Sequence, residues 1–204
     1  MMDPSEPDTT HYFAERPRVP SQRRELKFLY RGRLLSFLVD RGVFASTGLD
    51  PGTALLIENI EVGVSDKILD LGCGWGAIGI AAAISAAEGE AILTDVNHRA
   101  ARLARENVAR NRVHNAEVRV GPLYDPVAGE KFDLIASNPP YHAGRELIVA
   151  FLEQTPQFLR PDRRLVIVGK GNQGIRYYQD WLREHWAPDV EVKGRGSGYR
   201  VLEA

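Results

Sequence analysis

The stretch that most constrains this chain is Asp70-Leu71-Gly72-Cys73-Gly74-Trp75-Gly76, which joins the apolar run Lys67-Ile68-Leu69 to an alanine-rich segment over 77–87. A short apolar run, a glycine turn and a small-residue segment read as strand, tight loop and helix, the opening of a βαβ unit. Such a loop at the start of a parallel sheet is a candidate nucleotide-cofactor site.

Two cofactors compete for it. Gly74-x-Gly76-x-x-Gly79 satisfies a dinucleotide pattern, and Asp95 follows at about the distance of a ribose-binding acid, so NAD is one reading. A dinucleotide brings a pyrophosphate to the helix N-terminus, where a strand-end carboxylate would repel it. S-adenosylmethionine carries a sulfonium and an ammonium, which Asp70 would attract. Asp70 therefore tips the reading toward a methyl donor, while a capping role for the same side chain remains open.

With 204 residues, 44% hydrophobic, the chain can bury a core for one domain with a modest appendage. No apolar stretch is long enough to span a bilayer, and the acidic, polar residues 1–10 do not resemble a secretory signal, so cytoplasmic residence is expected. The single Cys73 excludes an internal disulfide, and five scattered histidines predict no structural metal. A net charge of −1 gives no global push toward nucleic acid, so any such affinity must come from a local patch.

One patch stands out. Between 14 and 33, seven Lys or Arg face two Glu, a balance of +5 that includes Arg16, Arg18, Arg23, Arg24 and Arg31. It reads either as an arm contacting RNA phosphates or as a solvated edge that discourages strand pairing. Residues 26–39 around Arg31-Gly32-Arg33 predict a hairpin. Residues 43–53 form a turn-rich loop able to cover a ligand, followed by a helix over 54–60. We expect a flexible tail over 1–10, a hairpin and cofactor-covering segment over 11–60, and a cofactor-binding domain over 61–204.

From 67 onward the pattern alternates: strands at 68–71, 91–94, 116–120, 132–137 and 164–168, with helices at 77–87, 98–110, 145–159 and 174–185. This predicts an α/β fold with a mostly parallel sheet covered on both faces. Residues 190–193 and 199–202 around a Gly-rich turn predict a terminal hairpin that adds an antiparallel strand. Asp70, Asp95 and Asn138 then stand at the carboxyl ends of three strands, where open α/β sheets bind ligands.

Asn138-Pro139-Pro140-Tyr141 is the candidate catalytic segment. Two prolines stiffen the backbone and remove two donors, freeing the Pro139 carbonyl for a ligand. The Asn138 oxygen and that carbonyl can accept two N–H bonds from an exocyclic amine or a carboxamide. Its delocalised lone pair would then point at a sulfonium methyl. Tyr141 could stack on a flat substrate. His142 could relay a proton or simply anchor the loop.

Taken together, 68–79, Thr94-Asp95-Val96-Asn97, 132–141 and Gly198-Tyr199-Arg200-Val201-Leu202 resemble the small-domain class I methyltransferases related to the ribosomal small-subunit RNA guanine-N2 methyltransferases. His11-Tyr12-Phe13, Gly42-Val43-Phe44 and Asp50-x-Gly52-Thr53 extend the resemblance over nearly the whole chain. It implies a Rossmann-like, mostly parallel seven-stranded sheet with a C-terminal antiparallel strand and an N-terminal hairpin extension. It also implies S-adenosylmethionine as donor and a guanine amine of ribosomal RNA as acceptor. By motif, Asp70, Gly72, Gly74 and Gly76 would hold the cofactor's methionine part and Asp95 its ribose, Cys73, Val96, Leu123, Asn138 and Thr53 would also contact the cofactor, and Asn138 to Tyr141 would hold the target amine. The family's Gly-Asp after the third strand is here Gly121-Pro122, which leaves adenine to Leu123, Tyr124 or backbone. Its Val-Phe-Ser reads Val43-Phe44-Ala45, with Ser46 one place on. Adenine-N6 and glutamine methyltransferases share Asn-Pro-Pro-Tyr, and a binding protein that has lost turnover is a further alternative.

Overall fold

The computed structural model describes residues 15, 20–45 and 47–204; the expected tail, His11 to Phe13, Arg16, Arg18 and Ser46 lie outside them. Strands β1 (Arg23–Tyr30) and β2 (Arg33–Asp40) form an antiparallel hairpin, and helix α1 (Pro51–Asn59) follows. The remaining elements are β3 (Lys67–Leu71), α2 (Ala77–Ser85), β4 (Glu90–Asp95), α3 (His98–Arg110), β5 (Ala116–Val120), β6 (Phe132–Ser137), α4 (Arg145–Gln154), β7 (Leu159–Lys170), α5 (Ile175–His185), β8 (Glu191–Gly196) and β9 (Tyr199–Glu203). Among the described residues seven strands make one sheet, in the order β5-β4-β3-β6-β7-β9-β8, with β9 antiparallel to β7 and β8.

Strand alternation sorts side chains into two cores. Ile68, Leu134, Ala136, Val166 and Val201 face α1, α2, α3 and the hairpin, whereas Leu69, Ile135, Ile167 and Leu202 face α4 and α5. Helix α2 is rich in small residues because it packs flush on the sheet: a Cβ on Gly79 would lie 2.4 Å from Leu93 Cγ. The last glycine of the Gly74-x-Gly76-x-x-Gly79 pattern is thus a close-packing requirement.

The hairpin docks through amides. Asn107 accepts from Leu38 N (2.7 Å) and donates to Leu38 O (2.9 Å), and Asn111 makes the same pair of bonds with Ser36 (2.9 and 2.8 Å). Spaced one turn apart on α3, the two side chains satisfy β2's outer edge as a neighbouring strand would.

Two of the element boundaries that differ from the sequence pattern have a local cause. Helix α4 stops at Gln154, not 159, because Pro156 cannot continue the helix, and Leu159 opens β7 instead. Helix α1 begins at Pro51 rather than 54: Asp50 caps it by accepting from Thr53 N at 3.0 Å, and proline suits the first helical position.

Candidate functional site

The carboxyl ends of β3, β4 and β6 meet at a cavity of about 290 Å³, lined in part by Gly72, Gly74, Asp95, Val96, Leu123, Asn138, Pro139 and Pro140. Gly72, Gly74 and Gly76 all adopt left-handed backbone (φ 74°, 57° and 92°), which explains the residue type at each turn of the loop. Gly72 N and Cys73 N both donate to Thr94 O at 2.9 Å. Gly74 N donates to Asp95 Oδ2 and Asn97 N to Asp95 Oδ1, each at 2.8 Å. The loop is thereby tied to the end of β4, with each Asp95 oxygen retaining acceptor capacity toward the cavity.

Asp70 lies beneath this loop, fully buried. Its Oδ2 accepts from Gly79 N at 2.7 Å, while its Oδ1 has no hydrogen-bond partner. Burial, opposed by the Gly79 bond and reinforced by the charge of Asp95, pushes Asp70 up to about 7. Burial likewise lifts Asp95 to about 6 against its two N–H bonds. Thr94, which also lines the cavity, has an unpartnered buried hydroxyl. A half-buried carboxylate on the cavity wall, Asp95, and behind the wall a fully buried one with an orphaned oxygen, Asp70, fit a ligand that brings hydroxyl donors and positive charge, as S-adenosylmethionine does.

The opposite wall is held by side chains. Ser137 Oγ donates to Leu71 O at 2.7 Å, joining the ends of β6 and β3. Asn138 Nδ2 donates to Thr53 Oγ1 at 2.9 Å and to Asp50 Oδ2 at 3.2 Å. Asp50 Oδ1 accepts from the Tyr199 hydroxyl at 2.8 Å. A carboxylate only accepts, so the Asn138 amide must present its nitrogen to Asp50, leaving Oδ1 as the acceptor available to a ligand. In the sequence Tyr199 and Asp50 appear only within the family-resembling segments Gly198 to Leu202 and Asp50-x-Gly52-Thr53, with no role assigned to either.

Several expected positions are placed differently. The Pro139 carbonyl is not free: it accepts from Tyr141 N at 2.9 Å, keeping one lone pair. Tyr141 does not line the cavity. Its hydroxyl donates to Val168 O at 3.0 Å and its ring packs on Tyr178 and against Gly169, where burial pushes the phenol well above its ordinary pKa. Tyr124 is buried in the α4 core, stacked on Phe158, so beside Pro122 the side chain that reaches the cavity is Leu123, with a left-handed φ of 43°. Cys73 and Gly76 shape the loop without lining the cavity; Thr53 acts through Asn138. From the covering loop, Val43 and Phe44 reach the cavity wall, while His142 is exposed outside it.

The basic hairpin is placed elsewhere. Arg23 is locked to Glu106 by two bonds of 2.8 and 3.2 Å, and Arg24 is exposed. Arg31, at the hairpin tip, sits 5.7 Å from the Tyr30 ring. The Tyr30 hydroxyl meets Ser85 at the last turn of α2, the end of the sheet opposite the cavity.

Comparison with known proteins agrees with this geometry. Residues 34–203 match the methyltransferase small domain family. The chain is 33% identical over 196 residues to protein YbxB of Bacillus subtilis, covering 95% of this chain and 97% of that one. It is 32% identical over 164 residues to ribosomal RNA small subunit methyltransferase C of Haemophilus influenzae, covering 78% of this chain and 48% of the relative, so it spans about half the length of that enzyme. In fold it is similar to the Thermus thermophilus 16S rRNA N2 G1207 methyltransferase solved with AdoMet and guanosine, with a TM-score of 0.79, 24% identity, and coverage of 92% of this chain and 52% of that one. Among the described residues no helix is long and apolar enough to cross a membrane. With the family matched over most of the chain, and with Asp95 on the cavity wall and Asp70 buried beneath the glycine loop, the chain belongs to the methyltransferase small domain family of S-adenosylmethionine-dependent methyltransferases.

Proposed function

We propose that this protein is an N-methyltransferase acting on the exocyclic amine of a base in RNA, with guanine N2 of ribosomal RNA as the preferred acceptor. The observation that carries the reading is the Asn138 amide, fixed by Asp50 and Thr53 so that its oxygen alone remains for a ligand, in one cavity with Asp95.

S-adenosylmethionine supplies, when bound, an electrophilic methyl group on a sulfonium. Asp70 and the glycine loop would hold its charged methionine end, and Asp95 and Val96 its ribose, beside Leu123. Asn138 Oδ1 and the remaining lone pair of Pro139 O would accept the two N–H bonds of the target amine. Those two bonds orient a nitrogen whose lone pair is otherwise spread into the ring, so catalysis is positioning rather than strong-base chemistry. As the new N–C bond formed and the S–CH3 bond broke, its electron pair would stay on sulfur to leave a neutral thioether, and the amine would pass its proton to solvent. Pro140 stiffens the turn, and Tyr141, anchored on Val168, sets its direction from behind instead of stacking on the base.

An RNA acceptor is supported by the relatives named as ribosomal RNA methyltransferases and by the guanosine in the structural neighbour. Transfer of a radioactive methyl group to small-subunit ribosomal RNA, duplex DNA and a ribosomal-protein mixture tests it. Label recovered as N2-methylguanosine is expected. Label found only in adenine N6 or in glutamine side chains overturns the acceptor and leaves the methyl transfer standing.

A further inference from the structure

The cavity opens beside a second basic region that the hairpin reading overlooks. Strands β6 and β7 are parallel and in register at Ser137 and Ile167, so Lys170 lies at the same end of the sheet as Asn138. Lys170 pairs with Tyr199 across β9, and Gly169 with Arg200. One strand further, Arg195 of β8 is the direct cross-strand partner of Arg200. Arg176 enters α5 three residues after Gln173, which lines the cavity. Arg176, Arg195 and Arg200 thus gather on the α5 side of this end of the sheet, while Lys170, over Tyr199, stands on the α1 side.

The fold does not neutralise them. Among the described residues Lys170, Arg176, Arg195 and Arg200 form no ion pair with a carboxylate, whereas Arg119, Arg160, Arg163, Arg164 and Arg183 all do. Two arginines directly opposed on neighbouring strands repel each other, and a cation in the first turn of a helix opposes its dipole. Burial and the charges of Arg176 and Arg195 hold Arg200 below its usual pKa. Lys170 Nζ instead lies 4.7 Å over the ring of Tyr199, the residue that donates to Asp50. Nearby on α4, the Arg145 guanidinium lies 4.7 Å over the ring of Tyr177, a residue that is 43% exposed. Unneutralised cations interleaved with an open aromatic face are what a single-stranded nucleic acid needs, phosphates on the first and a base on the second.

We infer that the rim formed by Lys170, Arg176, Arg195 and Arg200, with the Arg145–Tyr177 stack, holds the phosphate backbone of the RNA strand that flanks the target base. This deepens the proposed function and rests on its RNA acceptor. The strand leaves the cavity over β7, β9 and β8, away from the hairpin, whose Arg23 is tied to Glu106 and whose Arg31 lies at the far end of the sheet, while Arg24 is exposed at the hairpin base opposite Val39.

The test compares Arg176→Gln/Arg195→Gln/Arg200→Gln with Arg23→Gln/Arg24→Gln/Arg31→Gln, using a small-subunit ribosomal RNA fragment across a salt series. Each phosphate contact on a single strand contributes about 0.7 to the slope of log affinity against log salt, so the rim variant should lose about 2 in slope. Between 50 and 200 mM salt the wild-type protein would then lose about 16-fold more affinity than the rim variant. KM for RNA should rise more than kcat falls, and the thermal shift given by S-adenosylhomocysteine should persist in both variants, showing that the fold is intact. A rim variant with wild-type slope and KM overturns the inference, as does a loss of slope confined to the hairpin variant. If the arginines of β8 and β9 only guard a sheet edge, neutralising them will promote self-association and leave RNA binding unchanged, which also overturns it. A wild-type protein that labels another acceptor but not RNA overturns the acceptor reading itself.

Discussion

The two walls of the cavity are built by different means. On the donor wall, the bonds that shape the site are short in sequence and made to backbone: Asp70 to Gly79 N nine residues on, and Asp95 to Gly74 N twenty-one residues back. On the acceptor wall the bonds that fix Asn138 are side chain to side chain and long in sequence, with Asn138 reaching Asp50 across 88 residues and Tyr199 reaching it across 149. A wall made of its own backbone changes only if the loop refolds, whereas a wall of side chains can be altered one hydrogen bond at a time. Cofactor binding and turnover should therefore be separable by mutation.

The strongest test of that separation is Asn138→Ala. Removing the one side-chain acceptor aimed at the amine should lower kcat about 10²- to 10³-fold, the usual loss when an oriented hydrogen-bond group is deleted from an active site. Calorimetry with S-adenosylhomocysteine should give nearly wild-type affinity. Equal loss of both would mean that the walls are one unit.

Asp70→Asn probes the donor wall with the opposite signature. The amide oxygen can still accept from Gly79 N, so the loop keeps its anchor while the buried charge disappears. Melting of the ligand-free protein near pH 8 should be unchanged or higher. Affinity for S-adenosylmethionine should fall about ten- to a hundredfold, the 1.4–2.7 kcal/mol range of a hydrogen bond to a charged group.

The same buried acids set a pH dependence. Asp70 near 7 and Asp95 near 6 both lie above the value of about 3.9 for an unfolded aspartate. The folded state therefore binds more protons than the unfolded one over this interval. Their contribution to stability is full below about pH 4 and is lost as pH rises through 6 to 7. A cationic ligand favours the ionised carboxylates, so the melting-point gap between protein with and without S-adenosylmethionine should widen from pH 5 to pH 8. A gap that is flat or narrows would place the cofactor's charge away from Asp70.

The contrast between the walls also explains what the sequence makes legible. Left-handed turns demand glycine, so Gly72, Gly74 and Gly76 announce the loop directly, and Asp95 follows from strand and helix periodicity. Asn138 is marked by its prolines. Tyr141 is not decidable from its motif, because its orientation depends on Val168 and on the missing side chain of Gly169. Arg23 shows the same limit: its local charge is plain, but Glu106, which pairs with it, is 83 residues away. The rim arginines are scattered over three elements and form no run, so only the register of β7, β9 and β8 gathers them.

Tyr199→Phe is the finest test. The ring fills the space over Gly52, where a Cβ would lie 2.4 Å from it, and phenylalanine keeps that packing. What disappears is one donor to Asp50 Oδ1, leaving Asp50 with Thr53 N and Asn138 Nδ2, both on its other oxygen. Unanchored on one side, the carboxylate can rotate and relax its hold on the Asn138 amide. A single hydrogen bond of about 1 kcal/mol corresponds to about a fivefold fall in kcat. Burial, with the Asp50 bond and charge, raises the Tyr199 phenol well above its ordinary range, so it does not titrate in the working interval and the pH–rate profile should keep its shape. Affinity for S-adenosylhomocysteine should not move, since no donor-wall bond involves this residue. A variant that lost cofactor affinity in step with kcat would show that Asp50 couples the two walls, and the division drawn between them would have to be given up.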